Sequence, residues 1–88
     1  MTHTISLSKM YNPDDFYNEL EKHVKLPLYF GRNLDALHDF FTDIPEQTEF
    51  IFTETSEAEV MMSKYMKNLK RVCKKAAEEN PFFIAEFN

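Results

Sequence analysis

At 88 residues, 43% of them hydrophobic and nine of them phenylalanine, the chain can bury a single core, on the order of 60% of its unfolded surface, and no second one. One glycine, four prolines and no repeat or low-complexity run exclude a disordered or linker-like chain. A net charge of −5 repels phosphates, which disfavours direct nucleic-acid binding and points to a basic protein as partner.

The opening stretch MTHTISLSKM has neither the basic start and apolar run of a secretion signal nor the length of a membrane span, so the chain is expected to stay in the cytoplasm. Thr4 to Leu7 alternates polar and apolar residues, which predicts a short strand suited to a sheet edge. Asn12 and Pro13 make a helix start, Asn as N-cap and Pro at the first helical position, with Asp14 and Asp15 where the helix dipole favours acids. Phe16, Leu20 and Val24 give this helix its buried stripe, and His23 lies at the boundary. Leu26 and Pro27 close it, because the residue before proline is pushed out of the helical region.

The only glycine, Gly31, is expected where φ is positive or where backbone is approached closely. Asn33 reads as the N-cap of a helix starting at Leu34. On that helix Leu34, Leu37, Phe40 and Phe41 share a face to be buried, while Asp35, His38, Asp39 and Thr42 share the other. Asp35 and Asp39 are like charges one turn apart, a cost of about 0.2–0.5 kcal/mol, which the dipole relieves more for Asp35 than for Asp39. Taken alone, the spacing reads as solvated acidic surface.

Asp43 to Thr48, with Pro45, reads as a loop, and Phe50 to Phe52 as a central strand apolar on both sides. Ser56 and Glu59 match a capping box opening a long helical tract to about Asn80. Its stripe is Met61, Tyr65, Leu69, Val72, Cys73 and Ala76. One continuous helix and a break near Ser63 or Lys64 both fit. Asn80 and Pro81 end the tract, and Phe82 to Phe87 is the last strand. This order predicts an α/β domain over residues 1–88, with a parallel three-stranded sheet, since each connection is too long for a hairpin. Crossovers moving the same way would put all helices on one face, in two layers.

Charge is unevenly placed. Residues 11–59 carry a net −9 and residues 60–88 a net +3, giving an acidic pole and a basic helix. Lys64, Lys67, Lys70, Arg71, Lys74 and Lys75 read as the solvated face of that helix. For catalysis little is present: there is no phosphate-cradling glycine loop, no evident triad, and no zinc spacing among one cysteine and three histidines. Cys73 falls on an apolar stripe, so a buried thiol is expected. Asp35, His38 and Asp39 lack a third direction of ligation, and neither enzyme activity, cofactor nor metal is expected.

The continuous stretch LPLYFGRNLDALHDFF, Leu26 to Phe41, resembles the signature segment of the barstar family, small intracellular inhibitors of extracellular ribonucleases of the barnase type. Leu26, Pro27, Tyr29, Gly31, Asn33, Leu34, Asp35, Ala36, Leu37 and Asp39 follow the family pattern; elsewhere the likeness is one of length and element order. The resemblance implies a two-layer fold, its three-stranded parallel sheet covered on one face by three or four helices, and a protein that is monomeric when free. It also implies that the acidic face has a task, plugging the basic active site of a ribonuclease. Tyr29 would stack at the interface, Asn33 would present the turn, and Asp35 and Asp39 would meet cationic groups, with Asp39 the central plug. His38 stands on this face where the family carries tryptophan, and Asp43 and Ile44 stand where it has a Gly-Trp pair. Glu79, or Glu78, matches glutamates that the family presents from its last long helix, but Lys74 and Lys75 lie one turn earlier. An interaction or immunity module for another basic partner, such as a non-nuclease toxin, is the alternative that these departures leave.

Overall fold

A computed structural model describes all 88 residues. The elements are β1 (Thr2–Ser6), α1 (Pro13–His23), α2 (Leu34–Thr42), β2 (Thr48–Thr53), α3 (Thr55–Met61), α4 (Ser63–Glu79) and β3 (Phe83–Phe87). The three strands are parallel in the order β1-β2-β3, with β2 between the other two. Pairing sets His3 beside Phe50 and Ile5 beside Phe52, then Phe50 beside Ala85 and Phe52 beside Phe87. The two-residue period of a strand therefore sends these side chains to one face, under the helices.

On that face lies one core of 17 buried residues, led by Phe16, Tyr17, Phe41, Phe50, Phe52 and Phe83. Phe41 from α2 stacks on Phe83 with ring centroids 4.2 Å apart and lies 5.3 Å from Phe50. Each buried phenylalanine contributes roughly 2–3 kcal/mol of hydrophobic stabilisation. The other face is open. Ile51, expected to be covered, is half-buried there, among exposed Thr2, Thr4, Ser6, Ile84 and Glu86.

Local chemistry explains the boundaries, and in several places differs from the pattern expected. Asn12 caps α1 through Asp15 N, and the Asp15 carboxylate returns a bond to Asn12 N, a full capping box. α1 ends at His23, before Leu26 and Pro27, with Val24 already extended and half-buried. Tyr17 joins the buried stripe instead, and its hydroxyl pairs with that of Tyr65, pinning α1 to α4.

The long tract is two helices, broken at Met62, whose φ of −143° and ψ of 59° are not helical. The break shifts the phase, so Met61 is exposed and Ala58, Met62 and Met66 take the core positions. Ser56 is not a cap. β2 passes directly into α3 through Glu54 in the left-handed region (φ 58°), which makes Thr55 the first helical residue and leaves no capping side chain. No helix is long and apolar enough to cross a membrane.

Candidate functional site

The site expected from sequence is carried by the segment between α1 and α2, by α2, and by the end of α4. Asn33 caps α2: its Oδ1 accepts from Ala36 N at 2.8 Å, while its Nδ2 donates to the Gly31 carbonyl at 3.2 Å. That amide explains the glycine. Gly31 does not have a positive φ; rather, a Cβ there would stand 3.0 Å from Asn33 Nδ2 and press on the capping side chain. The positive φ falls on the next residue, Arg32, at 50°.

Arg32 is held there by α1. Its guanidinium pairs with Glu21, donates to Asn18 Oδ1 at 2.8 Å and to the Asp14 carbonyl at 3.2 Å, and lies 5.7 Å from the centre of the Tyr17 ring. The clamp stations the chain just ahead of Asn33 and α2. Sequence reasoning assigned Arg32 no role. The available signal was that it is the only lysine or arginine between Lys25 and Lys64, a lone cation among acids.

Leu37 and Phe41 of α2 are fully buried, whereas Leu34 and Phe40 are half-buried. Asp35 faces solvent, and the Asp39 side chain is 82% exposed. Tyr29, at 93% exposure, and its neighbour Leu28 stand out from the preceding loop. Asn33 is exposed as well.

His38 departs from expectation. It does not project into solvent with Asp35 and Asp39 on the polar face but leans toward α4, its side chain 25% exposed, with Nε2 3.2 Å from Glu79 Oε2 and Nδ1 3.8 Å from Asp39 Oδ1. The Glu79 carboxylate lies off the ring N–H axis, so Nε2 makes no directed hydrogen bond and the contact is one of charge and proximity. α2 packs against α4, and this is what brings His38, Asp39 and Glu79 together.

Four acids of the chain are paired with lysine or arginine. Asp14 and Glu21 are paired with Arg32, Glu19 with Lys22, and Glu59 with Lys70. No lysine or arginine pairs with Asp35, Asp39 or Glu79, and His38 is the only basic side chain in contact with the last two. Two elements therefore present carboxylates with no lysine or arginine partner, and the loop ahead of α2 adds an exposed tyrosine. Such a face offers acceptors to a cationic surface. No group of three His, Cys, Asp or Glu side chains is placed to hold a metal ion.

The family model described as Barstar (barnase inhibitor) matches residues 1–85. No curated protein matches the chain.

Proposed function

The chain belongs to the barstar family, and from that premise we propose that it is an intracellular protein inhibitor of a barnase-type ribonuclease, plugging the basic active site with the acidic face of α2. A ribonuclease must hold phosphates, so its cleft is lined with cations. Carboxylates fixed on a helix substitute for those phosphates and leave the cleft occupied. Asp39 is the central plug, Asp35 a second contact one turn away, and Glu79 a third from α4. Tyr29 supplies an aromatic surface at the rim, and Asn33 holds the turn that presents it.

The observation that supports this reading best is the placement of the acids: Asp35 and the 82% exposed Asp39 face solvent on α2, Glu79 of α4 stands 3.2 Å from His38 of α2, and none of the three has a lysine or arginine partner. The test is direct. The purified chain added to a barnase-type ribonuclease is expected to suppress RNA cleavage stoichiometrically and to cleave no RNA itself. RNA cleavage that persists through further purification contradicts the inhibitor reading. Tight binding to a basic protein with no loss of nuclease activity favours an interaction module for another partner.

A further inference from the structure

β3 forms one edge of the sheet, and a groove of about 600 Å³ lies between it and α4. Its apolar lining is Cys73 and Ala77 from the helix with Ala85 and Phe87 from the strand; Lys70 and Lys74 add positive charge, and Glu78 follows one turn beyond Lys74. The small side chains at 77 and 85 are what leave the space.

The period of the strand makes the groove and the free backbone coincide. The Phe82 carbonyl accepts from Thr48 N, and Asn88 N donates to the Phe52 carbonyl. Even-numbered residues thus turn their peptide groups toward β2, and in a parallel ladder the odd-numbered Ala85 and Phe87 turn theirs toward the open edge. Their side chains are the same two that line the groove. Exposed edges are ordinarily blunted by charged side chains, lysine above all, or by proline; the strand FIAEF has neither lysine nor proline, and its one charge, Glu86, lies on the sheet face away from the groove.

Charge selects the occupant. α4 carries six cations against Glu78 and Glu79 in a chain of net charge −5, and only Lys70 among the six has an ion-pair partner, Glu59 at 3.3 Å. We propose that this groove is a second protein-binding site, taking an extended peptide segment as a fourth strand beside β3. The segment's main chain pairs with Ala85 and Phe87. Its helix-facing side chains are small and apolar over Cys73 and Ala77, and acidic where they meet Lys70 and Lys74. A nucleic acid would follow the outer cations of α4 and leave both the strand edge and the apolar lining unused.

The test titrates the full, isotope-labelled chain with the capped peptide Glu-Thr-Val-Thr-Val-Thr-Glu, following the amides of Ala85 and Phe87 by chemical shift and by exchange. Both amides are expected to shift and to exchange more slowly; of the two peptides methylated on alternate sets of amide nitrogens, the one whose methyls face β3 is expected not to bind and the other to bind. Lys74→Glu should weaken the peptide about tenfold, while Lys64→Glu, the same charge change roughly 15 Å along the helix, should have little effect. Undisturbed amides, or equal binding of both methylated peptides, overturns the proposal. So does an equal loss in the two variants, which is the result of unspecific charge attraction.

Discussion

Asn80, the residue after α4, donates from Nδ2 to the main-chain oxygen of Phe41 at 2.9 Å, near the last turn of α2. The same amide reaches the Ile44 carbonyl at 3.1 Å, and Asn80 Oδ1 accepts from Phe82 N at 3.0 Å. A side chain buried to 6% exposure thus satisfies the end of one helix from the end of another. Glu79 is its neighbour in sequence, so the same bonds hold Glu79 against His38. Asn80→Ala leaves one buried carbonyl, and a part-buried carbonyl and amide, without these partners, and the expected loss is about 2 kcal/mol, read from a urea midpoint. Asn80→Asp is expected to be no milder near neutral pH, because a carboxylate cannot donate to those carbonyls. An Asp variant as stable as the wild type contradicts this account.

Arg32 is the counterpart at the other end of α2. The Arg32 side chain is 32% exposed and those of Glu21 and Asp14 50% and 77%, so the value of these pairs is screened and Arg32→Ala is expected to cost no more than about 1 kcal/mol of stability. The larger effect is on order. Amide exchange should quicken over residues 26–33, and the complex with a ribonuclease should form more slowly, because the loop bearing Tyr29 is no longer held ready. Arg32→Lys should rescue little, since an ammonium cannot reproduce the fork that meets Glu21 and Asn18 together. Unchanged exchange in this loop would show that the clamp is incidental.

Elements governed by local chemistry were legible in the sequence, and those governed by tertiary contacts were not. Asn12 and Asn33 act as caps because their side chains meet amides three residues on, a relation that spacing alone specifies. The parallel sheet, with β2 central, follows from connection lengths and matches the structure. By contrast, the capping box at Ser56 loses to the direct passage of β2 into α3, where Thr55 N bonds the Asn88 carbonyl from the far end of the chain. Met61 leaves the core because of a break at Met62 that periodicity places only approximately. At the acidic face, Asp35 and Asp39 project as helical spacing requires. His38 turns toward Glu79 because α4 packs there, a contact 41 residues away in sequence that no helix wheel can show. The roles of Arg32 and Asn80 are likewise set by partners on other elements.

His3 gives the fold a pH dependence. It stacks on Phe50 at 5.2 Å, and burial first, then the charges of His23 and the N-terminus, lower its pKa from the usual 6.5. A histidine whose pKa is lowered on folding binds protons more readily when unfolded, so stability is fully present above the unfolded value and declines as pH falls below it. Denaturant midpoints between pH 7.5 and 5 are expected to drop, and to drop less in His3→Gln. An identical slope in that variant removes His3 as the cause.

Cys73 is 2% exposed, and burial pushes its thiol up to about 12. At pH 8 very little thiolate exists, and the native fold screens what there is. Alkylation by iodoacetamide is expected to proceed only as fast as the protein unfolds and to accelerate with urea. Rapid labelling without denaturant contradicts a buried, protonated thiol.

The central claim is that Asp39 exists for a partner and not for the fold, and Asp39→Ala separates the two. In the free protein the change removes a like-charge neighbour of Asp35 and introduces a better helix former, so stability should stay level or rise by about 0.5 kcal/mol. In the complex it leaves buried cations of the ribonuclease unpaired. Binding should weaken by roughly 2–5 kcal/mol, mostly through faster dissociation, a range general to desolvated charge pairs for which the barnase–barstar complex is itself a reference case. The measurement is the dissociation constant with a barnase-type ribonuclease at fixed salt, wild type against Asp39→Ala, beside a denaturant midpoint for each. The account predicts a large loss of affinity at unchanged stability; unchanged affinity for an inhibited ribonuclease would contradict it.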